Sequence, residues 1–378
     1  MSSLDHIILY IVLFIIFYIF CRDSIYHKKE KDFWLNAAVP IIFFALLEGC
    51  RYDRGPDWQS YKFRFEHINP ENEPQRIFLF LMQILNELGV NYVGAYIIYA
   101  FIFILGSFIF IRKTFSHDVA KWAYLFLLFS MLIKSELMIR QYIALPFMFL
   151  TLSCIIQKKW VLAIITFITA YGTHAGTLVI IPFFIFFHFI FKKIIPLKIS
   201  VVALFLAYFI IQPGVFTDLG TKFLNVLNLS SILGESHVLN YIEDSERWLG
   251  ADSFIEDSRQ TFVTKTWQYI FDSAILISGY MAIKIKNNNI ITTFYNIVCI
   301  GFILERLFFG YEIFQRMTGQ LYIYWFIPLA YAVYTYKTKP NNKEKYKIKM
   351  YVLIAIFYQI TYYSRFIFFN PTAEFIWS

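Results

Sequence analysis

Apolar runs of roughly 17–22 residues recur from one end of this chain to the other, each about long enough to cross the hydrocarbon core of a bilayer as a helix. That repetition constrains the fold more than any motif does. Inside lipid a backbone must satisfy its own hydrogen bonds, and a continuous apolar run does so as an α-helix. The composition agrees: 58% of residues are hydrophobic, against about 45–50% in soluble domains. The expected fold class is an all-α polytopic membrane protein forming one integral membrane domain over residues 1–378, with about twelve transmembrane helices. The spans are expected near 4–20, 33–50, 91–111, 120–134, 137–156, 160–173, 175–191, 198–212, 267–284, 289–308, 319–336 and 349–367. Residues 76–88 are too short to cross and read as an interfacial or re-entrant helix. The first run lacks a basic flank and a small-residue cleavage site, so it reads as a spanning helix and not a removed signal.

Orientation follows from lysine and arginine in the short loops. With the N-terminus outside, the inner loops hold 20 of the 34 basic residues and only 5 of the 26 acidic ones. The net charge of +8 is therefore a topology signal and an affinity for anionic membrane lipid, and gives no reason to expect nucleic acid. Two outer segments are long. One, 51–90, opens with Arg-Tyr-Asp-Arg-Gly-Pro-Asp-Trp; the other, 213–266, is rich in acids and aromatics and reads as a lid of short amphipathic helices. The four cysteines are scattered, which indicates neither a disulfide framework nor a metal site.

Charges at membrane depth are costly, about 2.5–3.5 kcal/mol for an arginine at a helix centre, so those at the outer helix ends identify the candidate site. Arg51 and Arg54 hang from the Gly55-Pro56 turn where the second span leaves the membrane, with Asp57, Trp58 and Tyr61 just behind. Arg140 lies one turn inside the fifth span, His174 sits among small residues between the sixth and seventh, and Arg316 precedes the eleventh. Guanidinium forks bind phosphate oxygens in pairs, so several of them at the outer rim suit a lipid pyrophosphate. The bland alternatives are local ion pairs: Arg51 with Asp53, Arg54 with Asp57, Arg140 with Glu136, Glu305 with Arg306.

A first outer loop reading Arg51-x-x-x-Gly55-x-Asp57-Trp58-x-x-Tyr61 resembles the EpsG branch of Wzy-type polysaccharide polymerases. The resemblance continues through Glu73-Pro74 before an apolar helix, Arg140-Gln141 with Ala144, the Thr-His at His174, and the late Gln-Arg at Arg316. It implies a fold related to the GT-C membrane glycosyltransferases, located in the bacterial inner (cytoplasmic) membrane with its active site on the outer face. It implies that donor and acceptor are undecaprenyl-pyrophosphate-linked oligosaccharides, and that the growing glycan passes to the non-reducing end of a new repeat unit by direct displacement, which would invert the anomeric centre. A chain-length co-polymerase and a flippase are the implied partners.

On that reading Arg51, Arg54, Arg140 and Arg316 bind pyrophosphate, His174 or Asp57 serves the acceptor hydroxyl, and Trp58, Tyr61 and Gln141 contact substrate. His174 is the favoured base, because a neutral imidazole accepts a proton near pH 7. No metal and no cofactor is expected, and the sequence holds neither a dinucleotide fingerprint nor a P-loop. The rival readings are a lipid-linked glycan ligase, which shares the arginine logic, a flippase, which would need charge at mid-membrane depth, and a membrane O-acyltransferase.

Overall fold

The computed structural model describes residues 2–23, 29–55, 57–71, 73, 75–137, 139–211, 261–309, 312–338, 343–369 and 374–377. Nearly all of them are helical, and the described part of each expected span is mostly helix. The protein is an all-α, multi-pass membrane protein. Among the described residues six helices are long and apolar enough to cross a bilayer: Leu4–Arg22, Glu30–Gly49, Tyr92–Thr114, Ile139–Ile156, Asn289–Leu307 and Lys343–Phe369. The expected twelve spans are not confirmed by this count, which leaves shorter apolar helices at several of the expected positions. Trp160–Thr173 has 14 residues and Leu197–Phe209 has 13, giving each only about 20 Å of helix. The 175–191 run is broken into 3₁₀, α and π turns, and the 319–336 run is broken by a 3₁₀ turn at Ile323–Trp325. Of the expected lid, 213–260 lies outside the described residues, and 261–266 is the N-cap and start of the helix Phe262–Ile285.

The chain packs as two compact units, Met1–Leu178 with Gln359–Ser378, and Val179–Tyr358. The first holds α1 (Ser2–Asp23), α2 (Glu30–Gly49), α3 (Trp58–Glu66), α4 (Arg76–Glu87), α5 (Tyr92–Thr114), α6 (His117–Leu137), α7 (Ile139–Ile156) and α8 (Trp160–Thr173). Its centre is α5, which packs on α2 and α7, while α8 packs on α7. Small residues set these approaches. Gly49 of α2 lies against the backbone of Ile97, and Gly106 of α5 against Pro146, so a Cβ at either would collide.

Outside this bundle, α3 buries Trp58, Tyr61 and Phe65, which share one face at helical spacing. The expected interfacial segment is α4, whose buried face, Phe78, Leu79, Met82 and Leu85, meets that of α3 in one apolar cluster with Tyr96, Tyr99, Ile139 and Ile143. Two short strands close the unit. β1 (Arg51–Tyr52) pairs antiparallel with β2 (Glu374–Phe375), and Ile376 N–H donates to Cys50 O at 3.0 Å.

In the second unit the short α9 (Ile180–Ile185) precedes α10 (Leu197–Phe209), which packs on Phe262–Ile285 and Asn289–Leu307. The helix Glu312–Tyr322 lies along Asn289–Leu307, and Phe326–Thr338 along Phe262–Ile285. Asn296 pins the connection before α10, donating to Lys193 O and accepting from Ile195 N–H.

Candidate functional site

The Arg51–Trp58 turn is held from both sides. Asp53 and Gly55 adopt positive φ of 44° and 90°, which reverses the chain at the end of β1. Gln59 donates to Asp53 Oδ1 at 2.9 Å and secures the strained residue. Trp58, fully buried, donates from Nε1 to Arg51 O at 3.2 Å, and Tyr96 donates to Trp58 O at 2.7 Å. The turn is therefore rigid, as its sequence suggests, but its arginines point into protein.

Arg51 donates from Nη1 to Glu48 Oε2 at 3.0 Å, and Tyr10 donates to the other oxygen, Glu48 Oε1, at 2.9 Å. Arg54 in turn donates from Nη1 to the Tyr10 hydroxyl at 3.0 Å, and its guanidinium carbon sits 4.7 Å from the Phe375 ring centroid. Arg54 is 1% exposed. Two expectations change here. The partner of Arg51 is Glu48 and not Asp53, and Arg54 has no open face toward a ligand. Its guanidinium ties α1, α2 and the C-terminal strand to the turn. Trp58 and Tyr61, expected to contact substrate, are packed in the apolar cluster, because the face of α3 that carries them is the face that packs.

Arg51 still borders open space. Glu48, Arg51, Tyr96, Tyr99, Phe103 and Tyr142 are among the residues lining a small, partly open pocket. The Tyr99 hydroxyl and Arg51 Nε are buried with no hydrogen-bond partner among the described residues.

A second cluster lies beside α3 and contains a residue that sequence reading passed over as a site. Glu73 is 3% exposed, and its two carboxylate oxygens take different arginines. Arg140 of α7 donates from Nη1 to Oε1 at 2.7 Å, and Arg64 of α3 donates from Nη1 to Oε2 at 3.4 Å. The Gln75 N–H also donates to Oε1, at 3.2 Å. Both guanidiniums face the Tyr61 ring, with Arg140 Cζ 5.8 Å and Arg64 Cζ 5.5 Å from its centroid. The Tyr61 phenol is pushed above its ordinary value, chiefly by burial, so it stays neutral beside the two cations. The expected local partner of Arg140, Glu136, has its side chain outside the described residues. Two arginines against one carboxylate leave a net positive charge. The Arg140 side chain, 21% exposed, remains accessible from outside. Gln141, its neighbour on α7, is buried.

His174 caps α8 with extended backbone. The Gly176 N–H donates to its Nδ1 at 3.0 Å. A neutral ring that accepts at Nδ1 carries its proton on Nε2, so the ring presents a donor and not a base. The small neighbours are filled by protein: a Cβ on Gly172 would strike Ile77, and one on Gly176 would come 2.8 Å from His174 Cε1. Asp57, at the start of α3, is half-buried.

Arg316 belongs to the second unit, on Glu312–Tyr322. That unit also holds a charged cluster with members that sequence reading left out. Tyr208 donates to the buried Asp272 at 2.6 Å, and Arg306 stands over the Tyr208 ring at 4.7 Å. Glu305 accepts from Thr318 at 2.5 Å, so the expected Glu305–Arg306 pair is not what organises this corner. Asp272 carried a readable signal, a carboxylate inside an apolar run.

Among the described residues, no three His, Cys, Asp or Glu side chains gather as metal ligands. No curated protein and no solved structure matches the chain significantly. A family model does: the one described as the EpsG family matches residues 35–372, nearly the whole chain, and the protein belongs to the EpsG family.

Proposed function

We propose that this protein joins lipid-linked oligosaccharide repeat units into a surface polysaccharide. Membership of the EpsG family supports a polysaccharide polymerase in general. The observation that carries the finer reading is the Arg140 guanidinium, partly open and held by Glu73 at one end of an apolar helix. A fixed, partly desolvated guanidinium pair, Arg140 with Arg64, suits a leaving pyrophosphate because its charge is placed before the reaction begins. Arg51 borders the adjoining cavity, and Arg316 keeps its assignment to pyrophosphate on the family resemblance alone.

The donor is an undecaprenyl-pyrophosphate-linked glycan on the outer face of the membrane. An acceptor hydroxyl of a second lipid-linked unit attacks the anomeric carbon. The bond from that carbon to the pyrophosphate oxygen breaks, the lipid pyrophosphate leaves with the bonding pair, and the hydroxyl proton passes to a base. We assign the base role to Asp57 and a hydrogen-bonding role toward a substrate oxygen to His174; the Gly176 N–H bond to His174 Nδ1 supports this division. Direct displacement inverts the anomeric centre. No residue needs a metal for this chemistry, since the arginines supply the countercharge.

The test is reconstitution of the purified full chain with a single lipid-linked repeat unit from the same cell, in EDTA. A ladder spaced by the repeat unit is expected, and it disappears in Arg140→Ala while the protein still inserts. One preformed chain moved intact to another acceptor makes the protein a ligase, and lipid-linked material that only changes leaflet makes it a flippase.

A further inference from the structure

The second unit holds a cluster that the polymerase reading does not use. Arg306 lies at the C-terminal end of Asn289–Leu307, and Tyr208 at the C-terminal end of α10. The Arg306 guanidinium stacks on Tyr208, with Phe309 5.8 Å away on the other contact. Its Nε is buried and has no hydrogen-bond partner among the described residues, and no carboxylate of the described residues lies within ion-pair distance of the guanidinium. A guanidinium carries five N–H donors, so most of the hydrogen-bonding capacity of this one is unspent on the described protein.

Three features say what it would take. Two acids sit close by. Asp272, 3% exposed, accepts from the hydroxyl of the same Tyr208 that Arg306 covers, and Glu305 is the preceding residue. Both act electrostatically on Arg306, so a phosphate on this guanidinium would lie against two carboxylates, which disfavours it. This reverses the balance at Arg64, Glu73 and Arg140, where two cations face one acid. The buried polar side chains Thr318 and Gln320 come from the neighbouring helix Glu312–Tyr322. Fixed donors beside fixed acceptors, with aromatic faces alongside, match a neutral polyhydroxyl ligand, whose hydroxyls both give and take hydrogen bonds and whose C–H faces pack on rings.

We infer that the Arg306 corner of the second unit binds carbohydrate, with Arg306 donating to sugar hydroxyls. Naming the sugar as part of the enzyme's own glycan rests on the polymerase reading.

The experiment measures binding by the detergent-purified full chain of two probes. One is a lipid-free repeat-unit oligosaccharide released from the cell's own polysaccharide. The other is inorganic pyrophosphate. The wild type is expected to bind the oligosaccharide, and Arg306→Gln to bind it at least ten-fold more weakly while pyrophosphate binding stays the same. Arg306→Lys keeps the charge over Tyr208 but loses the planar fork, and is expected to weaken oligosaccharide binding several-fold. If the glutamine variant does not fold, by helical circular dichroism and extraction yield, the lysine variant decides. Three results overturn the inference: no oligosaccharide binding by the wild type, unchanged oligosaccharide binding in the folded variants, or pyrophosphate binding lost with Arg306. Failure of the polymerase reading looks different. There Arg140→Ala makes normal polymer, whatever Arg306 binds.

Discussion

Glu73 and Arg140 stand 67 residues apart in the chain, and their carboxylate and guanidinium meet at 2.7 Å. The contact joins the first large loop to α7, and Arg64 closes it from the other carboxylate oxygen. Glu73→Gln keeps the shape but removes the charge that aims both guanidiniums. Repeat-unit polymerisation is expected to fall at least ten-fold, with most of the loss in kcat if aim is what matters. Glu73→Ala should also cost about 1–2 kcal/mol of stability, less than a fully buried pair, because Arg140 and Arg64 are partly exposed. Equal kcat and KM for Glu73→Gln and wild type would rule out the positioning role.

The Tyr10 hydroxyl donates to Glu48 and accepts from Arg54, so one phenol oxygen serves two buried charged side chains. Tyr10→Phe leaves both short of a partner at almost unchanged volume. A loss of about 1–3 kcal/mol is expected. Thermal unfolding in detergent reads it, and an unchanged midpoint would show that Arg54 is held by its aromatic neighbours alone.

The Tyr61 phenol is buried, and its proton is held more tightly in the folded protein than in the unfolded chain. The stability this contributes is present below the ordinary tyrosine value of about 10 and is lost as pH rises beyond it. Wild type is therefore expected to lose stability above about pH 10 more steeply than Tyr61→Phe. The difference between the two curves isolates Tyr61 from the other buried tyrosines, and parallel curves would contradict it.

Much of the fold was readable because the apolar runs mark helices directly. The run at 160–173 is the helix Trp160–Thr173, and 289–308 is Asn289–Leu307 to within a residue. Breaks inside the runs were not readable, because hydropathy does not register a feature such as the 3₁₀ turn at Ile323–Trp325. At the site, sequence located the rigid turn but not the direction of its arginines. Arg54 looks exposed until α1 and the C-terminal strand, from opposite ends of the chain, close over it. Glu73 showed as a motif letter without a role, since its partner on α7 lies far along the chain. Local spacing also led to two pairings that the fold replaces: Arg51 finds Glu48, and Glu305 finds Thr318.

His174 gives the sharpest separation between donor and base. Its Nδ1 accepts the Gly176 N–H, an arrangement that puts the proton of a neutral imidazole on Nε2. Gln at this position carries an N–H at comparable reach and has no imidazole lone pair to act as a base. If donation is the role, His174→Gln should retain at least ten-fold more polymerisation than His174→Ala. If the ring is the base, the two should be equally inactive. Gly176→Ala tests the same geometry without touching the ring. The new Cβ would meet His174 Cε1 at 2.8 Å, closer than carbon atoms pack, so the ring must turn and the Nδ1 bond must break. Activity is expected to drop toward that of His174→Ala, with the helical circular dichroism unchanged. Full activity in Gly176→Ala would show that the held orientation of the ring is not needed.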